Sequence, residues 1–145
     1  MSKRDRDFQI LLNNARIAGL EAVEKLIKSN GVVPMVVSQH ASPLDDSSPV
    51  QKSWFVPDGP CGFAWIKIKP GNSPFANWLK KQKKDKGRRQ FTEILLPEGP
   101  AYSGGVDVWV SGFDQSVQKK ETYAAAFAGV LHAAGIYAYS QSRLD

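Results

Sequence analysis

Phe8, Leu11, Leu12, Ala15, Ala18, Ala22, Val23, Leu26 and Ile27 recur at steps of three and four. That spacing puts them on one side of a 3.6-residue turn and predicts an amphipathic helix with a wide apolar arc. Asn30-Gly31 stops it, since both residues tolerate the left-handed backbone that ends helices. An apolar run at 32–37 follows, and then Pro43, Pro49, Pro57 and Pro60 interrupt a stretch that also holds Asp45-Asp46-Ser47-Ser48. Proline removes a ladder donor and restricts the residue before it. Residues 38–60 therefore read mostly as loop, with Trp54-Phe55-Val56 as a short edge strand inside it.

The period drops to two at CGFAWIKIK, residues 61–69, which predicts a strand ending at the Pro70-Gly71 turn. Ser73 is a helix N-cap with Pro74 at the first helical position, and Phe75, Trp78 and Leu79 share one face. Residues 91–96 and 106–111 read as strands separated by Pro97, Gly99 and Pro100. A third helix is expected from Asp114 or Ser116, with Val117, Ala124, Phe127, Leu131 and Ala134 aligned and Gly135 as its stop; 136–140 is the last strand. Strand, helix, strand, strand, helix, strand is the ferredoxin-like βαββαβ order, an α+β fold with helices on one face of an antiparallel sheet. The 145 residues suit one domain. Within it, 1–60 would be an N-terminal helix and Pro-rich extension, and 61–145 the core.

Alternation also phases the sheet. Ala64, Ile66 and Ile68 oppose Cys61, Phe63, Trp65 and Lys67; Val106, Val108 and Val110 oppose Asp107, Trp109 and Ser111; Ile136 and Ala138 oppose Tyr137 and Tyr139. If the aliphatic sets meet the helices, the other face collects Phe63, Trp65, Trp109, Tyr137 and Tyr139 around Lys67 and Asp107. Two arrangements account for such a face. The N-terminal helix lies across it as a second core layer, which the size of an otherwise bare aromatic patch favours. Alternatively, it is a stacking platform for single-stranded nucleic acid. The Gly-Phe-Gly-Phe-like signature of the common RNA-recognition sheet is absent from GGVDVWV.

Charge sharpens the second arrangement. The chain carries 19 Lys plus Arg and 14 Asp plus Glu. Lys80, Lys81, Lys83, Lys84, Lys86, Arg88 and Arg89 fall within residues 80–89 with Asp85 alone against them, leaving 12 basic and 13 acidic residues elsewhere. A near-neutral domain thus carries one cationic segment. With Lys67 and Lys69 it could hold phosphates without reading sequence; its bland reading is a solvated helix end.

The remaining chemistry is thin. A single cysteine, Cys61, excludes an internal disulfide and a cysteine-only metal site. Cys61, His40, His132 and Asp107 supply the residue types of a thiol hydrolase without a local nucleophile motif, and two histidines with one cysteine are too few and too scattered for zinc. Asp45, Asp46 and Asp58 fit a solvated loop, with a metal held together with Asp107 as the alternative, and Gly104-Gly105 opens no helix and is no phosphate loop. No cofactor, metal or catalytic residue is assigned, and an enzyme centred on Cys61 remains a third reading. The start MSKRDRDF lacks the apolar stretch of a signal peptide, and no segment approaches the ~20 apolar residues of a membrane helix. Cytoplasmic residence is the expectation, with no membrane partner.

At CGFAWIKIKPGNSPFANWLKK, SGGVDVWVSGFDQSVQKKETYAAAFAGVLHAAGI and the terminal SRLD, with RDFQILLNNARIAGLEA also in pattern, the chain resembles a group of small uncharacterised proteins of tailed bacteriophages and related prophages. The resemblance implies a phage origin, hence host cytoplasm or virion as the location, and brings no activity, cofactor or catalytic residue. The resulting expectation is a non-enzymatic phage accessory protein. It would bind nucleic acid through Lys67, Lys69, Lys80, Lys81, Lys83, Lys84, Lys86, Arg88 and Arg89, with Phe63, Trp65 and Trp109 stacking on bases. The alternative is a virion head or tail subunit whose partners are other phage proteins.

Overall fold

The computed structural model describes residues 2–145 except 41–43, 45, 46, 48, 58 and 102, and for 37–40, 51, 52 and 54 the backbone alone. Ser2 caps the first helix, α1 (Lys3–Lys28), by accepting from the Asp5 amide, so it starts one turn before the apolar periodicity does. It ends as expected at Ser29, and Asn30 takes a left-handed φ of 54°.

The loop expected at 38–60 is corrected where two strands form, the second of which contains the short strand expected at Trp54-Phe55-Val56. β1 (Met35–His40) pairs antiparallel with β2 (Val50–Val56), with Met35 opposite Val56 and Val36 opposite Phe55. Pro34, Pro49 and Pro57 stand just outside these strands. They delimit the ladder and take no donor from it.

The core runs β3 (Gly62–Ile68), α2 (Pro74–Lys86), β4 (Ile94–Leu95), β5 (Val106–Val110), α3 (Val117–Ala133) and β6 (Ala138–Leu144). Its sheet has the order β4-β5-β3-β6 with every neighbouring pair antiparallel, so each core helix joins strands that have another strand between them. The fold is α+β with an added N-terminal helix. Ser73 and Ser116 cap α2 and α3 by accepting from the Ala76 and Lys119 amides. Two strands differ from expectation. Of residues 91–96 only Ile94 and Leu95 form a strand: Phe91 bridges to Ile94, and Pro97 has no donor for a longer ladder. The last strand runs to Leu144, through a polar stretch that alternation alone does not mark.

All three helices feed one core. Leu12 and Ala15 from α1, Phe75 and Leu79 from α2, and Tyr123, Phe127 and Leu131 from α3 cluster with Ala64, Ile66, Ile68, Val108 and Val110 of the sheet. Gly19 allows α1 to approach α3, since a Cβ there would stand 2.6 Å from the Tyr123 ring. Arg16 of α1 forms an ion pair with buried Glu93 and lies 4.8 Å over the Phe91 ring. α1 therefore packs on the helix side, against the expectation that it crosses the aromatic face. The helix side already offers it an apolar bed and a counter-ion.

Candidate nucleic-acid interface

Register decides which side chains share the face away from the helices. Trp65 stands opposite Trp109 on one side and Gln141 on the other; Lys67 stands between Asp107 and Tyr139; Phe63 is opposite Arg143. Directly opposed residues point the same way, so Phe63, Trp65, Trp109 and Tyr139 form one surface. Trp65 and Trp109 stack with centroids 4.8 Å apart and planes 23° apart, and Phe63 meets Trp109 edge-on at 6.1 Å. Trp65 Nε1–H donates to Gln141 Oε1 at 2.8 Å, fixing that indole. These rings are half-buried, while Tyr137, just before β6, is 60% exposed and meets Tyr139 edge-on. None of Phe63, Trp65 or Trp109 belongs to the helix-side core.

The cations divide into three sets. Lys67 is a correction to the phosphate-binding set. It is 1% exposed, its ammonium 2.7 Å from Asp107 Oδ1 and donating to the Gly104 carbonyl at 2.8 Å. It holds Gly104 to the sheet and offers solvent no charge. Lys80 and Lys83 donate to the carbonyls of Gly71 and Pro97, Arg89 donates to that of Thr92, and Arg88 lies 4.0 Å from Glu98. Lys80 ties α2 to the turn before it and Lys83 to the connection after it, while Arg88 and Arg89 make their contacts within that connection. Lys81, Lys84 and Lys86 are exposed, as is Arg143, whose guanidinium lies 5.3 Å over Phe63; half-buried Lys69 sits 5.8 Å over Tyr139.

A cleft of about 320 Å³ joins the two features, lined by Lys80 and Lys83 of α2 together with Asp107 and Trp109 of β5. The basic end of α2 therefore flanks the Trp109 edge of the aromatic surface. Arg143 and Gln141 were missing from the sequence reading. Their signal is the continuation of the 137, 139 alternation into residues whose polarity resembles a tail.

Among the described residues, those of the thiol-hydrolase set do not converge. Cys61 is exposed and bridges to Ser116 at the start of α3, while His132 sits in the last turn of α3, about 24 Å further along at 1.5 Å per residue. Asp107 is engaged by Lys67. The side chain of His40, together with Asp45, Asp46 and Asp58, lies outside the described residues. Among the described residues, no group of three or more His, Cys, Asp or Glu could hold a metal, and no helix is long and apolar enough to cross a membrane. No protein-family model, curated protein or solved structure matches the chain.

Proposed function

We propose that this chain is a non-enzymatic bacteriophage accessory protein that binds single-stranded nucleic acid across the outer face of its sheet. One observation carries the reading: α1 packs on the helix side, so Phe63, Trp65 and Trp109 keep a solvent-facing surface beside cations. Bases stack on such rings at ~1–3 kcal/mol each, with little sequence preference. Arg143 and Lys69 sit above the rings, and Lys81, Lys84 and Lys86 follow along α2. Phosphates would meet these groups; Lys67 neutralises Asp107 within the surface.

Fluorescence anisotropy of labelled oligothymidylate tests this directly. Binding is expected at ~50 mM salt, weakening as salt rises. Trp109→Ala should cost about 10-fold in affinity, the worth of one base stacked on a ring. No binding at low salt would overturn the proposal.

A second reading, a head or tail subunit of the virion, draws on the β1–β2 hairpin, where Val36 and Phe55 pair and are 64% and 66% exposed. Apolar exposure of that kind suits burial against another protein. Mass spectrometry of purified particles decides it: the chain present in virions supports this reading, and its absence removes it.

A further inference from the structure

The sheet ends at β6, and among the described residues no strand pairs with its outer edge. Its inner edge pairs with β3 throughout, from Gly62 opposite Leu144 to Ile68 opposite Ala138. Two further bonds fix the backbone directions: Lys69 N–H donates to the Tyr137 carbonyl at 3.0 Å, and Asp145 N–H to the Cys61 carbonyl at 3.1 Å. Odd-numbered residues therefore bond inward, and the N–H and C=O groups of Ala138, Ser140, Ser142 and Leu144 point outward. The edge has no proline, no lysine and no break in register, the usual devices that keep an open edge from pairing.

We infer that a second copy of this chain pairs here, β6 against β6, antiparallel about a two-fold axis at Gln141. The strand is symmetric about that residue. Ser140 of one copy then exchanges both hydrogen bonds with Ser142 of the other, and Ala138 does so with Leu144. With the axis moved to Ser142 or to Ser140, one outward residue must pair beyond the strand, Ala138 past Leu144 in the first case and Leu144 with Ile136 in the second. At Gln141 every outward group is satisfied.

The side chains agree with that register. On the aromatic surface Tyr139 faces Arg143 of the other copy, twice by symmetry, a cation against a ring. On the helix side Ser140 faces Ser142, and Leu144, 67% exposed in the single chain, gains Ala138 as a neighbour. No like charges meet. This complementarity to itself favours a second copy over an unrelated strand, and the two aromatic faces become one continuous surface. The inference stands independently of what that surface binds.

Sedimentation over a concentration series, with cysteine cross-linking, tests it. Facing residues of a pair without mutual hydrogen bonds have Cα atoms about 4.5 Å apart, within the range a disulfide bridges. In a Cys61→Ser background, Gln141→Cys should form a disulfide-linked dimer under mild oxidation, far faster than Glu21→Cys on the exposed side of α1. Ser142→Pro removes an outward donor and should shift the equilibrium to monomer with unchanged circular dichroism. Should that variant misfold, Gln141→Lys places like charges across the axis and should do the same. A wild-type chain that stays monomeric throughout, as it would if the edge awaited another protein's strand, overturns the inference. So does cross-linking of Gln141→Cys no faster than the control.

Discussion

Tyr123 is fully buried where α3 meets Gly19 of α1, and burial, with the nearby Glu93 carboxylate, pushes its phenol well above the usual tyrosine range. In the unfolded chain the same phenol ionises near pH about 10. The folded state therefore holds its proton where the unfolded state releases it, and the stability this confers is present below about pH 10 and lost as pH rises further. Urea unfolding across that window should show the decline, and Tyr123→Phe should flatten it while changing neutral stability by less than about 1 kcal/mol. The Lys67–Asp107 pair behaves differently. Asp107→Ala leaves a buried ammonium without its counter-ion and should cost about 3–5 kcal/mol, whereas Lys67→Met with Asp107→Leu should recover most of it. Period-two phasing placed both residues on the aromatic face. It could not show that the Lys67 ammonium donates to the Gly104 carbonyl, because that contact joins residues 37 positions apart.

At the scale of elements, local chemistry was legible wherever it was strong. Ser73 with Pro74, Ser116 and Gly135 mark helix ends through short-range bonds and backbone preference, and the structure uses each of them. The failures lie where pairing is long-range. Pro49 and Pro57 read as loop residues and turned out to be the bounds of a strand. Ser140, Gln141, Ser142 and Arg143 carry no apolar alternation because much of both faces of β6 meets water, so only its partner β3 reveals it as a strand. The position of α1 was also illegible: a wide apolar arc says that a helix must be covered and leaves the covering surface open. Gly19 and Arg16 settle it in the structure. Gly19→Ala should thus wedge a methyl group against Tyr123 and cost about 1–3 kcal/mol, measurable as a lowered urea midpoint, while Ala18→Gly on the same helix should cost less.

Across the whole molecule, the ten-residue basic segment holds two interleaved sets of side chains, one bound to backbone carbonyls and one facing solvent. Lys80 and Lys83 bind the Gly71 and Pro97 carbonyls and fasten α2 to the chain around it, Arg89 binds the Thr92 carbonyl within the following connection, and Lys81, Lys84 and Lys86 face solvent. Replacing those last three by glutamine should lower the salt dependence of oligothymidylate binding by up to ~0.7 for each phosphate that is no longer neutralised, with little effect on stability. A helix layer on one side of the sheet and stacked indoles on the other make the central claim one about the outer face. The most direct measurement is the indole N–H spectrum of ¹⁵N-labelled protein during titration with oligothymidylate. Trp78, packed against Phe8 and Phe75, is the internal reference. The account predicts that the Trp65 and Trp109 signals shift together as the ligand is added while Trp78 stays in place. Unmoved Trp65 and Trp109 signals at saturating ligand would contradict it.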